Sequence, residues 1–151
     1  MKRWLVAMVA AMTLGALPLL LGADGDGPVA AWTFNGQLRR LSRDVAADKH
    51  HAIAHDDYAS VEAPGLLALE FDGVDDFLTV PNDPAITMTD RLTVDLWVRV
   101  EETGGIHCIM DKRGERYRIQ VSPDGVPMLG LKAGGDRLDL TGGRITFGQW
   151  H

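Results

Sequence analysis

Leu92-Thr93-Val94-Asp95-Leu96-Trp97-Val98-Arg99-Val100 carries an aliphatic side chain at every second position, with Thr93, Asp95, Trp97 and Arg99 between. A period of two belongs to an extended chain, because successive side chains of a strand point to opposite faces. One face of this stretch suits a core and the other faces outward. The same alternation recurs on either side. Downstream, Tyr117, Ile119 and Val121 alternate with Arg116, Arg118 and Gln120. Ser122-Pro123-Asp124-Gly125 then supplies a turn in which proline pre-sets the backbone, and an apolar run returns at 128–131, so the pair reads as a β-hairpin. Upstream, Leu67, Leu69 and Phe71 form one inward set, residues 72–75 turn, and Leu78 with Val80 follow.

No segment holds a helical period over three turns. Strands are therefore expected over 66–71, 77–80, 92–100, 106–111, 116–121 and 128–131, with Leu69, Phe71, Leu96, Val98, Ile119 and Leu131 inside. Residues 29–34 (VAAWTF) make a plausible first strand. Lys132-Ala133-Gly134-Gly135-Asp136 and Thr141-Gly142-Gly143 read as further turns. Strands every 8–12 residues with such punctuation predict an all-β fold, an antiparallel β-sandwich or jelly roll. The stretch 36–64 is the exception. It is rich in alanine, histidine and mixed charge, and reads as a short helix or an irregular loop.

The first residues belong to a different category. Met1-Lys2-Arg3 is basic, residues 4–22 carry no charge, and Ala23 precedes the acidic Asp24-Gly25-Asp26-Gly27. That is the layout of a secretory signal, with cleavage expected after Ala23 and residues 24–151 forming one domain. An uncleaved membrane anchor is the rival, since about 20 apolar residues span a bilayer. Without Lys2 and Arg3, 13 basic residues face 21 acidic ones, a net charge of −8. So acidic a chain argues against nucleic acid and anionic membranes as partners. Cys108 is the single cysteine, so no internal disulfide forms, and its apolar neighbours cast it as a small core residue.

Three motifs carry a family resemblance: LLALEFDGVDDFLTVP at 66–81, LTVDLWVRV at 92–100 and RITFGQWH at 144–151. In this order they resemble the LamG-like jelly-roll domains of the concanavalin A-like lectin/glucanase superfamily, whose members run "ALxFDGxDDYVxVP", "FTVEAWVxP" and "GQWHHVAxTYDG". The resemblance covers residues 29–151 and implies a secreted or periplasmic, non-catalytic module that binds carbohydrate or an extracellular protein. Arg43-Asp44-Val45-Ala46 stands where that family writes "D-x-S-G-N", without the Gly-Asn. In the family, further strands follow the third motif. A truncated fragment with unpaired strand edges, prone to self-association, is therefore an alternative expectation. A glycan-cleaving relative is another, although the paired carboxylates of E-x-D-x-x-E are missing and Glu101-Glu102 are adjacent.

Asp72-Gly73-Val74-Asp75-Asp76 is the sharpest chemical feature. Asp72, Asp75 and Asp76 fall within one bend, where three carboxylates repel unless a cation shares them, and calcium prefers such oxygens. The plain alternative is a solvent-facing turn whose aspartates bond their own backbone. His51 and His55 would share a face at i, i+4 if helical, a spacing that can hold zinc; a solvated loop is the alternative. Trp32, Trp97 and Trp150 could stack on sugar rings or fill the core. The family places the tryptophan matching Trp97 in the core.

Overall fold

The computed structural model describes residues 28–34, 41–55, 58–63, 66–87, 92–112, 117–133 and 135–151. The expected leader at 1–23, its cleavage site and Arg116 lie outside them.

Among the described residues every regular element but one is a β-strand: β1 (Leu41–Ser42), β2 (Ala52–His55), β3 (Ala59–Ala63), β4 (Leu66–Glu70), β5 (Phe77–Thr79), β6 (His107–Lys112), β7 (Tyr117–Val121), β8 (Pro127–Ala133) and β9 (Asp136–Thr141). The exception is a 3-10 turn, Pro84–Ile86, capped by the Asp83 side chain, which accepts from Ala85 N at 2.8 Å. No helix among the described residues is long and apolar enough to cross a membrane. The strands form three antiparallel sheets, ordered β1-β2-β5, β3-β4 and β6-β7-β8-β9. The chain is all-β, with sheets of the kind a sandwich is built from.

The buried apolar side chains gather in three clusters. Val98, Val100, Ile109 and Val121 are buried together, with Leu96, Ile119, Ile145 and Phe147 packed against them on the four-stranded sheet. Phe34, Leu69 and Phe71 form a second cluster with Trp32, Tyr58 and Leu78. Ala68 is a third, covered by Val61, Ala63 and Trp150. Trp150 joins the Ala68 cluster to the 98–100 segment. It pairs with Arg99 in an antiparallel bridge, and the Arg99 guanidinium lies 5.6 Å from its ring centre.

The hairpin of β7 and β8 has the expected form. Gly125 N donates to Ser122 O and Ser122 N to Val126 O, both at 2.9 Å. Gly125 sits at φ 82, and a Cβ there would stand 3.0 Å from the Ile145 carbonyl oxygen. The turn is thus pinned against the 144–147 segment, where Arg144 Nη2 reaches Asp124 Oδ2 at 3.0 Å.

Several expectations are corrected. Residues 36–64 are neither helix nor loop alone, since they contain β1, β2 and β3. In β2 the inward positions are Ala52 and Ala54, small enough to hide a strand from an aliphatic pattern. Residues 136–141 form a full strand, β9, where only flanking turns were expected. Residues 92–100 alternate in burial as expected, but their pairing is confined to 97–100, with bridges at Trp97 and Arg99 and backbone bonds from Val98 and Val100 to 148–151, so they do not form a regular strand. Residues 29–34 likewise hold one bridge, Trp32 to Asp44. Leu69, Phe71 and Val98 are buried, whereas Leu96, Ile119 and Leu131 are half-buried. Trp97 is 47% exposed, so it is not a core residue. It shares the outward set with Thr93 and Asp95. Cys108 is also exposed, because β6 turns His107 and Ile109 inward around it.

Replacing Gly125 by alanine forces a side chain into a left-handed backbone position and against a fixed carbonyl. We expect Gly125→Ala to cost about 2 kcal/mol, read as a lower midpoint in urea. An unchanged midpoint would mean that this turn is not pinned.

Candidate functional site

β4 ends at Glu70 and β5 begins at Phe77, and the five residues Asp72-Gly73-Val74-Asp75-Asp76 turn the chain between them. Gly73 adopts φ 74, a left-handed position that glycine takes without steric cost. Asp72 Oδ1 accepts from Val74 N at 2.8 Å and Asp75 N at 3.3 Å, while Asp76 Oδ2 accepts from Asp72 N at 2.9 Å. The aspartates therefore close the turn through their own backbone. The Val74 amide holds the Asp72 carboxyl below the usual carboxylate range, against a smaller opposing effect of burial.

The same bend brings all three expected residues together. Asp72, Asp75 and Asp76 each offer a carboxylate oxygen, and these oxygens lie within 4.8 Å of one another. Asp72 and Asp76 are half-buried and Asp75 is exposed. A carboxylate has two oxygens, so the amide bonds of Asp72, all to Oδ1, leave it a second oxygen to offer. Three hard oxygens fit the donor chemistry of calcium, but supply only part of the six to eight it takes.

Directly after the bend stands an aromatic surface that sequence reading missed. Phe77 follows Asp76, is 52% exposed, and pairs across the β2–β5 ladder with His55. Their rings stack at 4.4 Å between centroids and 9° between planes. The signal was present in part: with Leu78 inward, Phe77 had to face outward. Its partner was not legible, because β2 was hidden among alanines and histidines. His55 is thus an element of a strand, and the zinc-like helical pairing of His51 with His55 does not form.

His51 belongs instead to a clamp built around Asp44. The Asp44 carboxylate is fully buried and accepts from five backbone amides. Ala31 and Ala46 donate at 3.0 Å, His50 at 3.1 Å, and Ala47 and Lys49 at 3.4 Å. Asp44 N in turn donates to His51 Nδ1 at 3.2 Å. Asp48 takes a left-handed φ of 57, which folds the loop back so that several amides converge. His50, also buried, sets Nδ1 3.3 Å from Asp44 Oδ2 and Nε2 3.6 Å from Asp83 Oδ1, and its carbonyl accepts from Trp32 Nε1 at 2.7 Å. Burial alone pushes the Asp44 carboxyl up. The amides of Ala31, His50, Ala46 and Lys49 together outweigh it and bring the pKa down to about 2. This clamp directs the chain into β2 and so places His55 opposite Phe77.

No family model matches the chain, and no curated protein or solved structure matches it.

A carboxyl held at about 2 in the fold and near the ordinary aspartate value when unfolded stabilises the fold at neutral pH. That contribution is complete above about pH 4 and is lost as pH falls toward 2, a difference of about 2 kcal/mol. Asp44→Asn turns an amide N–H toward backbone donors and should cost about 2 kcal/mol at pH 7. It should also flatten the acid limb between pH 4 and 2. Urea melts across that range check both, and a variant with the wild-type acid limb would contradict the clamp.

Proposed function

We propose that this chain is an exported, non-catalytic binding module of the LamG-like jelly-roll type, and that it recognises carbohydrate at the turn between β4 and β5. The observation that carries the reading is the exposed Phe77–His55 stack directly beside three converging carboxylates. Sugars present apolar C–H faces and rows of hydroxyls. An exposed aromatic ring takes the first by stacking, and carboxylates accept from the second. Asp72, Asp75 and Asp76 are the residues that would hold a calcium ion, which in turn can bridge to sugar hydroxyls. The three sequence motifs support the family reading, and the three antiparallel sheets accord with it.

Phe77→Ala should weaken binding to the polysaccharide that a glycan panel selects by tenfold or more, about 1.4 kcal/mol. Because Phe77 is half in water, the fold should survive the change. Calcium at a hundred times its dissociation constant should add about 2.7 kcal/mol of stability, and Asp75→Asn should remove most of that gain. Failure of every glycan, with capture of an extracellular protein through the same turn, would replace carbohydrate by a protein ligand. Glycan binding indifferent to Phe77 would overturn the site, and melting indifferent to calcium would remove the ion from it.

A further inference from the structure

The outward face of the β1-β2-β5 sheet stays apolar beyond the Phe77–His55 stack. In this sheet Leu41 pairs with Ile53 and Ile53 with Thr79, and His55 pairs with Phe77 two residues further along. Residues two apart on a strand share a face. Ser42, Ala52 and Ala54 are buried, and Leu78 packs on the cluster of Phe34, Leu69 and Phe71. Leu41, Ile53, Phe77 and Thr79 are therefore turned outward, and all of them are exposed. The face carries an aromatic rung, His55 and Phe77, and an aliphatic rung, Leu41, Ile53 and Thr79. The rungs lie about 7 Å apart along the strands. The turn with Asp72, Asp75 and Asp76 stands on the other side of the aromatic rung, since it leads directly into Phe77. Along β5 the surface thus runs from carboxylates through stacked rings to aliphatic side chains.

We propose, resting on the carbohydrate reading of the β4–β5 turn, that this order of surfaces selects a glycan bearing methyl groups, a 6-deoxyhexose or an acetylated sugar, with the methyl seated on Leu41 and Ile53. A sugar ring stacked on the aromatic rung lays its substituents, and the residue linked to it, over the aliphatic rung. An ordinary hexose puts hydroxyls there, and a uronate or sulfated sugar puts an anion there. Each would be drawn out of water against side chains that return no hydrogen bond, apart from the single hydroxyl of Thr79. A methyl group gains instead, because the apolar surfaces of Leu41 and Ile53 leave water together with it. Burying one methyl is worth about fourfold in affinity, and a hydroxyl that is absent has no water partner to lose. At the far end the carboxylates still ask for hydroxyl donors or a bridging cation. The ligand must therefore carry a polar edge and a methyl on one small frame, which deoxy and acetylated sugars do and a plain alkyl chain does not.

Titration calorimetry of the full chain with matched sugars tests the selection. L-Fucose against L-galactose isolates the 6-deoxy methyl, and a chito-oligosaccharide against the cello-oligosaccharide of equal length isolates the acetyl group. In one pair or both, the methyl-bearing member should bind about tenfold tighter, and the pair that shows the preference names the source of the methyl. Ile53→Thr should cut that preference about threefold, whereas Thr79→Val should raise it. Both changes keep a β-branched residue at an exposed strand position, and an unchanged urea midpoint checks the fold. Phe77→Ala should weaken both members of a pair. Binding that depends on Phe77 but not on the methyl would overturn this inference and leave the carbohydrate reading standing. So would a preference that neither Ile53→Thr nor Thr79→Val moves, or binding through Phe77 to glycans without methyl groups only. A chain that binds no glycan, or binds one without regard to Phe77, would overturn the carbohydrate reading and this inference together.

Discussion

The structure around the candidate site depends on one buried carboxylate. Asp44 gathers five backbone amides from two separate stretches, residue 31 and residues 46–50. Charge-assisted bonds of this kind are stronger than neutral ones, and here they outweigh the cost of burying the charge. Without such an acceptor the buried N–H groups of Ala31 and His50 would lose their partner, which folded proteins avoid. The clamp does by polar satisfaction what the local sequence does not do by apolar content. From it the chain enters β2, β2 pairs with β5, and that ladder sets His55 against Phe77.

How much of this was legible follows from how local each signal is. The hairpin of β7 and β8 could be read because alternation and turn chemistry lie within a few residues. The closure of Asp72, Asp75 and Asp76 is contained in five consecutive residues and was likewise readable. β2 and β3 were not, because their inward positions are Ala52, Ala54 and Ala63 with Val61 the one larger aliphatic among them, too little for a visible periodicity. Asp44 itself gave no sign of its role. A lone aspartate before an alanine pair reads as surface, and its donors are revealed only when Asp48 turns left-handed and residue 31 packs alongside.

Other departures show two signals in conflict. The alternation of residues 92–100 already assigned Trp97 to the outward side; its size and the family resemblance argued for the core, and the alternation was right. Cys108 lies in an apolar run, but His107 and Ile109 on either side claim the inward face. In β9, Leu138 and Leu140 alternate with Arg137 and Asp139, yet both remain exposed, so the pattern marks a strand without marking burial. Periodicity reports backbone conformation more dependably than it reports what covers a face.

The central claim is that the Asp44 carboxylate organises the loop that leads to the candidate site. Amide hydrogen exchange tests it most directly, by comparing the wild-type chain with Asp44→Ala. In the wild type, the amides of Ala31, Ala46, Lys49 and His50 should exchange slowly although residues 46 and 49 lie at the surface. In the variant they should exchange fast, and the ring resonances of His55 and Phe77 should lose the upfield shifts of a stacked pair, while amides of β6 to β9 stay protected. Fast exchange at these amides in the wild type, or unchanged protection in the variant, would contradict the account.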